Sequence, residues 1–237
     1  MFAQLLRCLW LIVLLEECRQ ARSNLQAPEA DRRADAQVTG DHFSAGLEAV
    51  PGSIDGGEDL SGGAGGVAHV AVQIARAFGA KVFATGSTGQ QEIIEGLGAT
   101  FIDYRKTSVE AYVAEHTDGE GFDIVYDTVG GETLDASFKA ARVYHGHVVS
   151  CLGWGQHSLA PLSFRGATYS GVFTLLPLLT GKGREHHGRI LQEAARLIEA
   201  GSVVPILDPH RFNLESAEAA HELLLSGAAQ GRLVIDI

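Results

Sequence analysis

The chain has 237 residues, enough for one domain with appendages or one and a half domains, and enough to bury a substantial core. Its formal net charge is −11, and no Lys/Arg run exceeds the pairs Arg32-Arg33 and Arg105-Lys106, which argues against a nucleic-acid partner because phosphate backbones need a basic patch. Cys8, Cys18 and Cys151 have neither CxxC spacing nor neighbouring histidines, so neither a disulfide framework nor a metal site is expected.

Taken in order, the chain opens with an apolar run from Cys8 to Leu15, behind Arg7 and closed by Glu16-Glu17. The run is as long as a signal-peptide core but too short to span a bilayer, and no small-x-small cleavage pattern follows it. A cytoplasmic protein without a membrane partner is the expectation. Residues 16–60 are rich in Arg, Asp, Glu, Gln and Ala and end in the Gly- and Asp-rich stretch Pro51 to Asp59. That composition predicts a divergent, poorly ordered segment over residues 1–60.

Gly62-Gly63-Ala64-Gly65-Gly66-Val67-Ala68 follows, and within it Gly63-x-Gly65-x-x-Ala68 fits the dinucleotide fingerprint. Its first glycine makes a tight turn, its second admits a pyrophosphate and its third position lets helix approach strand. Val67, Val70, Ala71, Ile74 and Phe78 then trace one apolar helical face ended by Gly79. Such a helix N-terminus holds phosphate through backbone N–H groups and the helix dipole. The strand that should feed the loop is missing or badly degraded, because Gly56 to Ser61 offers only Leu60 as an apolar residue.

Beyond the loop, strands are expected at Lys81–Thr85, Thr100–Tyr104, Phe122–Asp127, His147–Leu152 and Tyr169–Thr174. Helices are expected at Gln90–Leu97, after a Thr107-x-x-Glu110 capping box, and at Glu132–Arg142. A long helix bearing Ile190, Leu191, Ala194, Leu197 and Ile198 then stops at Gly201. Val203–Leu207 reads as an edge strand, Leu214–Leu225 as a helix capped by Asn213, and Arg232–Ile237 as a terminal strand. The alternation predicts an α/β fold, a doubly wound parallel sheet, with ligands outside the carboxyl ends of its strands.

From about residue 61 onward the chain resembles the cofactor-binding half of the medium-chain dehydrogenase/reductase superfamily, on its quinone-oxidoreductase and zinc-type alcohol-dehydrogenase-like side. The resemblance rests on the glycine loop, Ala84-Thr85-Gly86-Ser87, Ile102-Asp103-Tyr104-Arg105, Val125 to Gly131 and Gly231-Arg232-Leu233-Val234. It implies a Rossmann-like dinucleotide-binding domain over 61–202 and a strand-helix-strand over 203–237 that would pack on a catalytic domain. That catalytic domain, which precedes the cofactor domain in full-length members, is not visible in residues 1–60.

By the same resemblance, Gly63, Gly65, Gly66, Val67 and Ala68 would cradle the pyrophosphate, and Thr128 and Val129 would lie beside the adenosine half. Leu152, Gly153 and Trp154 would face the nicotinamide, with Phe173 lining that pocket; plain core packing is the competing reading for Leu152 and Phe173. Gly86-Ser87-Thr88 carries no acidic residue to repel a 2′-phosphate, and with Tyr104 it favours NADP (NADPH) over NAD, although Gln90 stands where a lysine is usual.

Other residues read more plainly. Adjacent His186 and His187 point about 100° apart on a helix and fit a solvated helix start better than a metal corner. Cys151 fits a small buried apolar residue, Glu120 and Asp123 form no evident acid/base pair, and Trp154 and His157 suit either substrate contact or loop packing. The reading is an oxidoreductase transferring a hydride to or from a quinone, enone or carbonyl/alcohol substrate. Its competitors are a nucleotide-binding remnant without turnover and an assembly subunit, such as a homodimer formed through the sheet edge. No catalytic residue is assigned.

Overall fold

A computed structural model of the chain describes residues 66–237, apart from 145, 227 and 230, together with the backbone of 44–47. Six strands form one wholly parallel sheet: β1 (Ser44–Leu47), β2 (Lys81–Gly86), β3 (Thr100–Asp103), β4 (Ile124–Asp127), β5 (His147–Ser150) and β6 (Thr168–Gly171), in the order β3-β2-β1-β4-β5-β6. The order reverses direction between β1 and β4, which makes that crevice the topological switch point of the doubly wound fold.

Helices cover both faces: α1 (Ala68–Ala77), α2 (Gln91–Gly96), α3 (Val109–Thr117), α4 (Glu132–Ala140), α5 (Ala160–Arg165), α6 (Leu176–Thr180) and α7 (Arg184–Glu199). Because successive strand residues point to opposite faces, each inner strand divides its apolar side chains between two cores. Val82, Ala84, Ile124, Tyr126 and Val149 join Ala71 and Ile74 of α1 and Ile190, Ala194 and Leu197 of α7. Phe83, Val125 and Val148 join Tyr112 and Val113 of α3, Leu134 and Phe138 of α4 and Leu162 of α5.

The centre of the sheet corrects one expectation. The first strand, sought at Gly56–Ser61, is supplied by Ser44–Leu47, which pairs with both neighbours: Ala45 stands beside Val82 on one side and Ile124 on the other. Residues 56–61 lie outside the described residues. Ser-Ala-Gly-Leu has only one large apolar residue, which is why no hydrophobic run marks this strand in the sequence.

Other boundaries also move. Ser108, not Thr107, caps α3, its Oγ accepting from Ala111 N at 3.2 Å. Helices α5 and α6, on either side of β6, were not expected; each has proline in its first turn, where a missing N–H costs no hydrogen bond. The strand expected at Val203–Leu207 is β7 (Leu207–Asn213), which pairs in parallel with β8 (Arg232–Asp236) as a separate two-stranded sheet. The helix α8 (Ala217–Leu225) connects them, behind a turn in which Asn213 Oδ1 accepts from Ser216 N at 2.9 Å.

Candidate functional site

The carboxyl ends of the strands carry the residues singled out above. At the end of β4, Asp127 is fully buried and gathers the loop that follows it. Its Oδ1 accepts from Val129 N at 3.2 Å, both of its oxygens stand 3.0 Å from Gly130 N, and Ser150 Oγ from β5 donates to Oδ2. Ser150 Oγ in turn accepts from Leu152 N at 3.1 Å. One carboxylate thus holds the Thr128–Gly131 loop and, through Ser150, the start of the Leu152–Trp154 loop. Burial pushes its pKa up, against the opposing pull of the Ser150, Gly130 and Val129 hydrogen bonds.

The two loops touch. Gly130 has φ +80° and sits so close to the Leu152 carbonyl that a Cβ there would collide with it. Gly153 likewise has no room for a side chain, because the Tyr169 hydroxyl occupies that position. Beyond them Trp154 and Phe173 meet edge to face, ring centres 5.6 Å apart and planes at 88°. They remain 63% and 42% exposed, which makes them an open aromatic wall rather than core. Thr128, Val129, Leu152, Gly153, Trp154 and Phe173 therefore lie along two touching loops and the aromatic pair beside them.

At the switch point, Gly63 and Gly65 lie outside the described residues, whereas Gly66 and Val67 lead into α1 and Ala68 is buried in its first turn. Among the described residues no side chain caps α1 and no acidic residue lies in its first turn, so its N-terminal end suits an anion. The guanidinium of Arg232, from β8, lies against Gly66 in the space that a Cβ would take. Arg232 was not anticipated as a site residue. Its sequence neighbours say only that it starts a strand, and its place over the glycine loop arises from a contact across 166 positions.

The ends of β2 and β3 form a third group. A side chain at Gly86 would meet Ile94 Cδ1 at 2.7 Å. Gln90, in the position where a lysine was sought, turns inward to accept from Ser87 N at 3.1 Å. Thr88 Oγ1 donates to Asp103 Oδ2 at 2.7 Å, and Lys106 Nζ stands 3.1 Å from the same oxygen. These contacts, Thr88 foremost, hold the Asp103 carboxyl below the ordinary range. Arg105 Nε donates to the Tyr104 hydroxyl at 3.0 Å and its guanidinium stands 5.5 Å over that ring. The positive charge absent at position 90 is present at Arg105 and Lys106.

The plainer readings fare as follows. His157 Nδ1 lies 3.0 Å from Asp135 Oδ1 and the ring meets Phe138 edge to face, so it secures the Trp154 loop to α4. Cys151 is buried, with its thiol donating toward the Asp127 carbonyl at 3.9 Å. Asp123 pairs with Arg142 at 2.8 Å. His187 is buried on α7, not solvated at a helix start. Among the described residues no three His, Cys, Asp or Glu side chains are grouped to hold a metal, and no helix is long and apolar enough to cross a membrane.

Comparison with known proteins gives the same answer as the geometry. Residues 97–235, more than half of the chain, match the family model described as zinc-binding dehydrogenase. The chain is 35% identical over 181 residues to 2-methylene-furan-3-one reductase of Solanum lycopersicum, covering 73% of this chain and 38% of that protein. It is 33% identical over 178 residues to a quinone oxidoreductase of Salmonella typhimurium, covering 71% and 53%. Among solved structures, an alcohol dehydrogenase superfamily protein from Novosphingobium aromaticivorans superposes with a TM-score of 0.73 at 46% identity, over 83% of this chain and 56% of that one. Escherichia coli quinone oxidoreductase complexed with NADPH gives 0.65 at 25%, over 83% and 58%. The chain thus spans between about a third and three fifths of the length of these relatives. The family's name implies zinc, but the described residues lack the grouped donors to hold it. The chain belongs to the zinc-binding dehydrogenases of the medium-chain dehydrogenase/reductase superfamily, a family of oxidoreductases, and corresponds to their C-terminal cofactor-binding part.

Proposed function

We propose that the chain is the cofactor-binding part of an NADP-dependent oxidoreductase acting on a quinone, enone or carbonyl/alcohol substrate. The observation that carries this is the carboxyl edge of the sheet, where the uncapped start of α1 with Arg232 against Gly66, the Asp127-held loops and the Trp154–Phe173 wall follow one another. Bound along that edge, the dinucleotide would supply the hydride. The α1 N-terminus and Arg232 would neutralise its pyrophosphate. Gly130 and Gly153, whose side-chain positions are taken by the Leu152 carbonyl and the Tyr169 hydroxyl, would hold together the two loops that its adenosine and nicotinamide halves lie against. Trp154 and Phe173 would exclude water on the substrate side.

NADPH is favoured over NADH because Ser87 and Thr88 bring no carboxylate of their own. The one nearby acid, Asp103, is already engaged by Thr88 and Lys106, with Arg105 and Tyr104 adjoining. Fluorescence titration of the purified protein with both cofactors tests this. Tighter NADPH binding that Arg105→Glu reduces is expected; equal affinity for NADH in the parent would refute the charge argument. A homodimer through the exposed edge of β6 belongs to the same proposal, as does a cytoplasmic setting. The competing reading is a dinucleotide binder without turnover. Oxidation of NADPH in the presence of quinones or enones separates the two.

A further inference from the structure

Arg232 stands against Gly66 because something holds β8 there, and the holders are on α1. His69 and Gln73, four residues apart, lie on one face of that helix and both grip the backbone of the segment preceding β7. Gln73 Oε1 accepts from Val204 N at 2.8 Å while its Nε2 donates to Val204 O at 3.0 Å, so one amide side chain pairs with a backbone unit as a strand would. Two residues on, His69 Nε2 accepts from Ile206 N at 3.3 Å. Ile206 O then accepts from Arg232 N at 2.8 Å. Between them Gly231 runs so close that a Cβ would stand 2.7 Å from Ile206 O. The contacts close a ring: Gly66, Arg232, Ile206, then His69, which lies only three residues after Gly66.

We propose that His69 is a positioning residue for the dinucleotide pyrophosphate, acting through Ile206 to fix Arg232 over the glycine loop, with Gln73 anchoring the same segment. The inference rests on the assignment of the cofactor to that loop. The ring at position 69 must present an acceptor at Nε2, which a hydrocarbon of the same bulk lacks. His69 is 2% exposed and wedged between α1 and the 204–206 segment, so it touches no cofactor; its effect passes through Arg232.

The test is a double-mutant cycle read as the NADPH dissociation constant, with melting temperature recorded in parallel. His69→Phe should weaken NADPH binding roughly three- to tenfold, the worth of one hydrogen bond. His69→Gln, which restores an acceptor, should bring affinity back to within about twofold of the parent. In an Arg232→Met background, His69→Phe should have no further effect on NADPH affinity. Gly231→Ala, which displaces Arg232 without touching α1, should reproduce the loss if His69→Phe proves too unstable to purify. A parent protein that binds no dinucleotide would overturn the cofactor assignment and this proposal together. Normal NADPH binding by both His69→Phe and Gly231→Ala, or an equal loss with and without Arg232, would overturn the proposal alone.

Discussion

Replacing Asp127 by alanine is the most demanding test of how the carboxyl edge is built. The carboxylate satisfies Val129 N, Gly130 N and the Ser150 hydroxyl from a fully buried position. A buried donor left without an acceptor costs about 1–3 kcal/mol. The Ser150 hydroxyl can rotate away, which leaves two backbone donors; relief from burying a carboxylate offsets part of their loss. The net cost comes to about 2–4 kcal/mol, a large share of the roughly 5–15 kcal/mol that stabilises a domain. At about 2–4 °C per kcal/mol for a chain of this size, a 4 kcal/mol loss lowers the melting temperature by roughly 8–16 °C. Asp127→Asn keeps the shape and one acceptor and should cost about 1–2 kcal/mol.

The pH dependence separates the charge from the hydrogen bonds. Burial raises the Asp127 pKa above 3.8, so the folded state binds its proton more tightly than the unfolded chain does. The penalty for ionising it is absent below 3.8 and complete above the raised value, so its contribution to stability falls as pH rises through that window. The asparagine variant lacks that slope. Urea denaturation between pH 4 and 7 should therefore show the Asn variant gaining on the parent as pH rises. An alanine variant within about 1 kcal/mol of the parent, or an asparagine variant worse than alanine, would refute the reasoning.

Gly130 and Gly131 both have positive φ, but only Gly130 faces a backbone carbonyl where a Cβ would go. Gly131→Ala should cost about 1 kcal/mol from backbone strain and Gly130→Ala clearly more, by chemical denaturation; equal costs would contradict the crowding at Leu152. Asp103 carries the opposite sign from Asp127. Its lowered pKa contributes stability above 3.8 that is lost as pH falls through its folded-state value. Thr88→Val should raise the Asp103 pKa in a carboxyl-carbon NMR titration and make the protein less sensitive to acid in that window. An unshifted Asp103 in the variant would show that Thr88 is not the main cause. Trp154→Ala should leave the melting temperature nearly unchanged, since the ring is largely exposed, while weakening turnover or binding of aromatic acceptors; a substantial loss of stability would reassign it to packing.

What could be read from the chain was what is local. The fingerprint glycines, the amphipathic face of α1 and the apolar runs Val82-Phe83 and Val148-Val149 announce themselves within a few residues. Pro161 and Pro177 open the short helices α5 and α6, which carry no long apolar periodicity to announce them. Strand β7 was expected too early, at Val203–Leu207, because Leu207-Asp208-Pro209-His210-Arg211-Phe212-Asn213 is mostly polar; its register shifts between Leu207 and Arg211, the irregularity that admits Pro209. Arg232 over Gly66, and Thr88 on Asp103, are tertiary contacts with no periodic signature. Trp154 and Phe173 were singled out only through family resemblance, and that they meet edge to face is a tertiary contact no local pattern announces.

The displaced central strand bears on how the chain reaches this fold. Strands β2 and β3 on one flank and β4, β5 and β6 on the other can assemble through short right-handed crossovers. Ser44–Leu47 joins the flanks, and its pairing of Ala45 with Ile124 closes a far longer loop of chain than the crossovers do. With little side-chain bulk in that strand, backbone pairing must do much of the joining. Two half-sheets with exposed inner edges would then precede the native state, and their meeting would set the refolding rate. Fragments that begin after Leu47 would keep those edges open, as self-associating species rather than a smaller version of the same domain.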